Sequence, residues 1–188
     1  QKRVTHMKKI MKSELFSWIT ALTIALILAL GVRAFLFEPF IVEGASMEPT
    51  LNNNEKLLVN KVVAYTGSVN RQDIIIIDGK NRDINYVKRV IGLPGDTVEM
   101  TNDHLYINGE EVNEPYLAEE IEKAHAVDMN YTGDFGPVTI PDHQYFVLGD
   151  NRLNSMDSRN GLGYIDKDQI VGVSEYVLMP IKEARKTE

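Results

Sequence analysis

Cysteine is absent from this 188-residue chain, and that absence excludes several kinds of chemistry. The protein forms no disulfide, uses no thiolate nucleophile and builds no zinc–thiolate centre. The sequence also lacks internal repeats and low-complexity tracts, so neither a repeat array nor a biased linker is indicated. With 44% hydrophobic and 25% charged residues, the chain is long enough for one membrane anchor and one globular domain.

Positive charge is scarce beyond the N-terminal end of the chain. The sequence has 20 lysines and arginines against 27 acidic residues, a net charge of −7. Basic residues precede the single early acid, Glu14, at Lys2, Arg3, Lys8, Lys9 and Lys12. The rest of the chain is therefore strongly acidic, which argues against a nucleic-acid partner.

One long uncharged segment covers residues 15–32, with the sequence LFSWITALTIALILALGV. As a helix it would extend roughly 27 Å, close to the ~30 Å of a bilayer's hydrocarbon core. The apolar residues up to 37 lengthen it, which predicts a single transmembrane helix over 15–37. The basic residues before it predict a cytoplasmic segment 1–14 and an extracytoplasmic domain 38–188 at the cell membrane.

A cleaved signal peptide is the alternative for this segment, because basic residues followed by an apolar run are also its signature. Small residues flank Arg33 at Val32 and Ala34, the spacing that such cleavage needs. The apolar run exceeds the usual core of about 7–15 residues and resumes after Ala34, which favours a retained anchor. Self-cleavage after Ala34 stays open.

Short apolar runs separated by turns predict that domain 38–188 is mainly β. Glu38-Pro39 ends any helix that leaves the bilayer. The predicted strands are residues 40–42, 56–59, 74–77, 86–91, 97–100, 104–107, 110–112, 145–148 and 169–179. Asn108-Gly109 predicts a tight hairpin and Leu93–Asp96 a type II turn.

A shift in composition after the middle of the domain predicts a small peripheral insertion over about 99–142. The core then covers about 38–98 and 143–182. Within the insertion, only residues 119–123 suggest a helical turn or two.

Ser46 is the best-placed candidate nucleophile, in the segment Gly44–Thr50 shortly after the predicted anchor. Gly44 and Ala45 permit close approach of a substrate, and Pro49 fixes the chain behind them. The alternative is a loop serine that caps a turn. The histidines share no metal-ligand spacing and fit surface positions better, so a base for Ser46 has to come from elsewhere.

Lys88 is the candidate base, because Tyr86, Val87, Val90 and Ile91 surround it with apolar side chains. To be neutral near pH 7 its pKa must fall about 3 units, at a cost of roughly 4 kcal/mol. A lysine on the solvated face of an edge strand is the alternative, and strand alternation leaves the two open.

A dense polar loop follows the strand 145–148, over Gly149–Arg159. It does not match a calcium-binding loop, because Arg152 stands where a ligand is required. An internal network of hydrogen bonds and ion pairs fits this loop better.

These three segments, in this order, resemble the type I signal peptidases, especially the Gram-positive bacterial branch. The motifs are Gly-x-Ser-Met-x-Pro-Thr from Gly44, Tyr-Val-Lys-Arg-Val-Ile-Gly-x-Pro-Gly-Asp from Tyr86, and the loop from Gly149. The resemblance runs from the anchor to near the C-terminus and implies that family's β-sheet catalytic domain. It also implies that Ser46 is the nucleophile and a buried Lys88 the general base.

The resemblance assigns supporting roles as well. Ser155 would hydrogen-bond and orient the lysine amine, and Asp157 would support the site together with Arg159. Arg89 and Asp150 look like a structural pair that holds the lysine strand against the loop.

One departure from relatives in Gram-negative bacteria concerns the oxyanion hole. Those enzymes have a serine two positions before the nucleophile, where Gly44 stands here. We expect the Ser46 backbone N–H to donate one hydrogen bond to the oxyanion, and the Gly44 N–H or a water molecule to donate another.

The resemblance implies that the substrates are secretory preproteins, cleaved at their signal peptides after small residues at −1 and −3. Residues expected to contact the substrate are Val42, Ala45, Met47, Ile84 and Tyr86. Membrane lipid is an expected partner, and no cofactor or metal is expected. Two rivals are a self-cleaving repressor of the same serine–lysine clan, which would carry a DNA-binding region, and a tethered β domain that only binds a partner.

Overall fold

The computed structural model of the chain describes residues 2–79 and 84–187, without the side chains of residues 2–13, 15 and 32–35. The described chain divides into two compact units, Gln1–Phe37 and Glu38–Glu188. The boundary agrees with the position of Glu38-Pro39 in the sequence, because proline disfavours continuation of a helix.

The first unit is formed by helix α1, Lys2–Phe35. Its described side chains at residues 16–30 are exposed, and Thr20 and Thr23 donate their hydroxyls to the carbonyls of Phe16 and Ile19. Among the described residues, no helix combines the length and the apolar character needed to cross a membrane. The predicted anchor over 15–37 includes side chains outside the described set, and it stays a prediction.

Twelve described strands, the first of which begins at the unit boundary, and two short α-helices follow. The strands are β1 Phe37–Ile41, β2 Lys56–Asn60, β3 Ile74–Asp78, β4 Asn85–Gly92, β5 Thr97–Thr101, β6 His104–Ile107, β7 Glu110–Val112, β8 Phe135–Thr139, β9 Gln144–Leu148, β10 Ile165–Asp166, β11 Ile170–Met179 and β12 Arg185–Lys186. The helices are α2, Val62–Thr66, and α3, Ala118–His125. The prediction of a mainly β domain is confirmed.

The strands form two sheets. The larger has eight strands in the order β1-β2-β11-β3-β4-β9-β10, with β12 beside β11, and the smaller has four in the order β7-β6-β5-β8. Strands β3, β4 and β9 pair antiparallel, which places Lys88 of β4 opposite Ile75 of β3. The candidate lysine therefore lies on an inner strand, not on an edge.

The predicted turns have the backbone conformations that their sequences favour. Asn108 and Gly109 have φ values of 54° and 82°, which is the type I′ pattern. Gly95 has φ of 85°, and the Asp96 N–H donates to the Leu93 carbonyl at 3.0 Å, as in a type II turn.

The two-residue strands β10 and β12 were not predicted, and two further strands differ from prediction because proline lies within them. β1 begins at Phe37, three residues earlier than expected, and includes Pro39. β8 was not predicted at all, since Gly136-Pro137 suggests a turn. Both strands lie at sheet edges, where a missing N–H costs no ladder hydrogen bond.

The core continues from the large sheet into the small one. Strand β3 is buried on both faces, with Ile75 and Ile77 in one hydrophobic cluster and Ile74 and Ile76 in another. A third cluster joins strands of both sheets and consists of Ile91, Val98, Met100, Leu105, Ile107, Ile140, Phe146 and Leu148. The region predicted as a peripheral insertion thus shares core packing with β4 and β9.

Replacing Ile76 with alanine tests the importance of this inner strand. Ile76 has no exposed surface, so Ile76→Ala is expected to lower the free energy of unfolding by about 2–5 kcal/mol. Ile181→Ala is the matched control, because Ile181 is 79% exposed, and it should change stability by less than about 0.5 kcal/mol. Urea unfolding of the full chain in detergent, followed by circular dichroism, measures both. Equal effects of the two substitutions would contradict this packing.

Candidate active site

Ser46 and Lys88 meet at hydrogen-bond distance. The Lys88 Nζ lies 2.7 Å from Ser46 Oγ, and it also donates to the Val87 carbonyl at 2.9 Å. Lys88 is 2% exposed and Ser46 is half-buried. The pairing of β4 with β3 and β9 places the lysine on an inner strand, and the turn after β1 carries the serine to it. A nucleophile and a base in contact are what covalent catalysis requires.

The surroundings of Lys88 favour its neutral form. Burial lowers the pKa of Lys88 from 10.5 to about 8, although the negative charges of Asp157 and Asp150 oppose that change. At pH 7 about one molecule in ten then has a neutral amine, against fewer than about one in a thousand at the ordinary lysine pKa. Lys88 is thus able to accept a proton from Ser46 near physiological pH.

The polar loop Gly149–Arg159 is held by the carboxylate of Asp157, which is fully buried. Asp157 accepts two hydrogen bonds from the Arg159 guanidinium, both at 2.9 Å, and one from the Gly149 N–H at 3.1 Å. Burial opposes ionisation, but Arg159 and the backbone donors outweigh it, so the pKa of Asp157 is lowered. The loop therefore has the internal network that the sequence predicts.

Arg89 and Asp150 connect the lysine strand to this loop. The Arg89 guanidinium donates two hydrogen bonds to Asp150, at 2.9 and 2.7 Å, and the two side chains are 1% and 0% exposed. Thr50 donates its hydroxyl to the same carboxylate at 2.5 Å. Asp150 thus connects all three sequence motifs. It lies in the polar loop, pairs with Arg89 of the lysine motif and accepts a hydrogen bond from Thr50, which ends the serine segment.

Ser155 does not make the hydrogen bond to lysine that the resemblance implies. It is 6% exposed, and its Oγ has no hydrogen-bond partner among the described residues. A Cβ on Gly149 would come within 2.2 Å of Ser155 Oγ and 2.4 Å of the Ser46 carbonyl oxygen. Only glycine lets the loop pack this closely against the serine segment.

Comparison with known proteins agrees with this geometry. The profile of a family described as signal peptidase, peptidase S26, matches residues 15–179. The chain belongs to this family. A signal peptidase I of Bacillus licheniformis is 58% identical over 177 residues, covering 94% of this chain and 95% of that protein.

Further relatives support the same family. Signal peptidase I T of Bacillus subtilis strain 168 is 56% identical over 171 residues, covering 91% of this chain and 89% of that protein. The crystal structure of a signal peptidase I from Enterococcus faecalis V583 is similar, with 40% sequence identity and a TM-score of 0.51. That match covers 56% of this chain and 96% of the crystallised one.

The Gly44 N–H, one of the two groups expected as second donor to the oxyanion, is bonded elsewhere. Gly44 has φ of 92°, in the left-handed region that suits glycine, and its N–H donates to Asn53 Oδ1 at 3.0 Å. That N–H is therefore already engaged and does not point freely at a substrate. The sequence did not reveal this, because Asn53 resembles any other residue of a polar turn.

The expected substrate contacts divide into two groups. Val42 and Met47 are 3% and 1% exposed and belong to the core cluster beneath the serine segment, so their side chains line no open surface. Ala45 and Tyr86 are half-buried, and Ile84 is 49% exposed. Predicted strand position did not distinguish the two groups, because Val42 and Met47 lie beyond the end of β1, in a segment that packs into the core.

No metal centre accompanies the dyad in the described part of the chain, where no three His, Cys, Asp or Glu side chains are grouped to hold an ion. His104 is paired with Glu111, and His125 with Asp103. Both histidines are more than half exposed, as the sequence predicts for surface residues.

Sequence reasoning missed Tyr116 and Glu114, which contact the motifs from the small-sheet region. The Tyr116 ring covers the Arg89 guanidinium, with 3.8 Å from Arg89 Cζ to the ring centroid. Glu114 forms an ion pair with the buried Arg152 of the loop. The only signal was Arg152 itself, a charge that the local motif leaves without a partner.

The pH dependence of cleavage tests the neutral lysine. We expect kcat/KM to rise with pH and to level off above an apparent pKa near 8, because only the neutral amine accepts the Ser46 proton. Initial rates of preprotein cleavage between about pH 6 and pH 10 give this profile. A rate that rises only near the ordinary lysine pKa would contradict the burial of Lys88 seen here.

Proposed function

We propose that this chain is a membrane-bound serine endopeptidase that removes N-terminal signal peptides from secretory preproteins with a Ser46–Lys88 dyad. The observation that carries the proposal is the 2.7 Å contact between Ser46 Oγ and a buried Lys88 amine, in a chain of the signal peptidase family. The substrate class follows from its relatives, which are signal peptidases.

The first half of the reaction forms an ester. Neutral Lys88 takes the hydroxyl proton of Ser46 while Oγ attacks the carbonyl carbon of the scissile peptide bond. When the tetrahedral intermediate collapses, the C–N bond breaks and the Lys88 ammonium gives its proton to the leaving amine. The signal peptide is then bound to Ser46 as an acyl-enzyme, and Lys88 is neutral again.

The second half releases the signal peptide. Lys88 takes a proton from a water molecule, whose oxygen attacks the ester carbonyl. Collapse of the second tetrahedral intermediate breaks the ester C–O bond, and Lys88 returns the proton to Ser46 Oγ. The dyad is thereby regenerated without a cofactor.

The Ser46 backbone N–H is the proposed donor to the oxyanion. The Gly44 N–H is bonded to Asn53, so a water molecule is the better second donor. Loss of one such donor costs about 3–4 kcal/mol in other serine hydrolases.

Ser155 has a proposed role that its free hydroxyl supports. When Lys88 accepts the Ser46 proton through its lone pair, its own two N–H groups need acceptors. The Val87 carbonyl is one, and the unpaired Oγ of Ser155 would be the other. Such a pair of bonds would hold the lone pair of Lys88 toward Ser46.

The proposed substrate lies in extended form beside the strands near the dyad, with small residues at −1 and −3. Ala45, Tyr86 and Ile84 are the accessible candidates for contact with it. The core residues Val42 and Met47 act only indirectly, by supporting the turn that carries Ser46.

The membrane part of the proposal rests on the apolar run of the sequence. Residues 15–37 form a single membrane anchor, with 1–14 in the cytoplasm and 38–188 outside. The domain then consists of a core, about 38–98 and 143–182, and an insertion at about 99–142 that contains most of the small sheet. An anchor of this kind would keep the active site near lipid and near tethered preproteins.

Substitution of each dyad residue tests the proposed chemistry. Ser46→Ala and Lys88→Ala are each expected to lower kcat by at least about 10³-fold, because neither residue catalyses without the other. Ser68→Ala, an exposed loop serine, is the control and should keep full activity. The assay is cleavage of a preprotein with an alanine-x-alanine site. Binding of the preprotein without cleavage by the unmodified chain would favour a tethered binding domain instead.

The orientation has its own test. Protease added to intact protoplasts is expected to digest the domain 38–188 and to leave an N-terminal tag protected, because the basic residues retain the N-terminus inside. Digestion of the tag in detergent-treated protoplasts controls for its accessibility. A protected domain with a digested tag would reverse the proposed orientation.

A further inference from the structure

Arg89 is the residue through which the lysine strand is fixed to its surroundings. It follows Lys88 on β4, so the two side chains leave opposite faces of the strand. In addition to Asp150, the Arg89 guanidinium donates to the Gln72 carbonyl at 2.9 Å. A buried arginine with its donors satisfied in this way holds β4 in one position.

A tyrosine that follows the small-sheet strand β7 covers one face of this guanidinium. Tyr116 lies in the short turn Pro115–Leu117, and its ring centroid is 3.8 Å from Arg89 Cζ. This is cation–π geometry, which is strongest where water is excluded. Burial and the neighbouring Glu114 raise the pKa of Tyr116 far above its usual range, so the phenol remains a hydrogen-bond donor.

Glu114 joins Tyr116 to the polar loop Gly149–Arg159. The Tyr116 hydroxyl donates to Glu114 Oε1 at 2.5 Å, and Arg152 donates to Glu114 Oε2 at 3.1 Å. Arg152 in turn donates through Nε to the Gly149 carbonyl at 3.1 Å. The contacts return to Arg89 through Asp150, so that Arg89, Tyr116, Glu114, Arg152 and the Gly149-Asp150 segment form a closed ring of contacts.

We propose that Tyr116 and Glu114 are positioning residues that hold the Lys88 strand and the polar loop Gly149–Arg159 in register through Arg89 and Arg152. The inference rests on the proposed roles of Ser46 and Lys88. Tyr116 and Glu114 have no contact with the reacting atoms. They act on the 2.7 Å distance between Lys88 Nζ and Ser46 Oγ, and small misplacements of catalytic groups cost large factors in rate.

The main test compares two substitutions of Tyr116. Tyr116→Phe keeps the ring over Arg89 and is expected to retain kcat within about threefold. Tyr116→Leu removes the ring and is expected to lower kcat per folded molecule by about tenfold or more, with KM changed less than twofold. The folded fraction is measured by circular dichroism, so that loss of stability is separated from loss of turnover.

Two further variants complete the test. Tyr106→Leu is the control, because Tyr106 is a half-buried tyrosine on β6 of the small sheet, and it should leave kcat per folded molecule unchanged. Glu114→Gln removes the charge that pairs with Arg152 and should lower kcat about fivefold or more with KM unchanged. If Tyr116→Leu does not fold, the kcat of folded Glu114→Gln decides whether the positioning role holds.

The outcomes separate this inference from the proposed function. Normal kcat in both folded Tyr116→Leu and Glu114→Gln, with an active unmodified chain, would overturn the positioning role alone. An unmodified chain that never cleaves would overturn the proposed function. Losses of kcat that Tyr116→Phe does not share would support the ring over Arg89 as the positioning contact.

Discussion

The structure around the candidate site depends on the burial of one amine against one hydroxyl. The fall in the pKa of Lys88 from 10.5 to about 8 means that the fold destabilises the charged form by about 3 kcal/mol relative to the neutral form. Because the folded-state pKa of this cation lies below its unfolded value, that cost is complete below about pH 8 and fades as the pH rises toward 10.5. The fold tolerates this cost at physiological pH, and a lysine that can act as a base is the result.

The surrounding packing shields the Lys88 amine from water and holds it against the Ser46 hydroxyl. Strand β4 lies between β3 and β9, and β3 is buried on both of its faces. The next residue, Arg89, carries a full charge that is satisfied by Asp150 and covered by Tyr116. A lysine of lowered pKa and an ion-paired arginine thus occupy neighbouring positions. The ion pair connects the strand to the loop, while the Lys88 amine bonds to Ser46 Oγ and the Val87 carbonyl. The small sheet contributes to this arrangement through shared core packing.

Local signals in the sequence were sufficient for most strands, for the Asn108-Gly109 hairpin and for the segments that hold the site, because each depends on neighbouring residues. The choice between a solvated and a buried Lys88 depended on strand order, which no local pattern contains. The same holds for Gly44, whose N–H bonds to Asn53, and for Val42 and Met47, which lie beyond the end of β1 and pack into the core. The Ser155 contact depended on how the polar loop packs against the serine segment, and the role of Tyr116 depended on a contact between distant segments. Edge strand β8 was not predicted, because it contains a glycine and a proline, which are typical of turns. Its position at the edge of the sheet permits both residues.

The most direct measurement of the central claim is the pKa of Lys88 itself. Nuclear magnetic resonance of the chain with ¹⁵N-labelled lysine follows the Lys88 Nζ through a pH titration, and Lys88→Met identifies its signal. A midpoint near 8 is the predicted result. A midpoint near the ordinary value of about 10.4 would show a solvated ammonium at neutral pH and would contradict Lys88 as the base that activates Ser46.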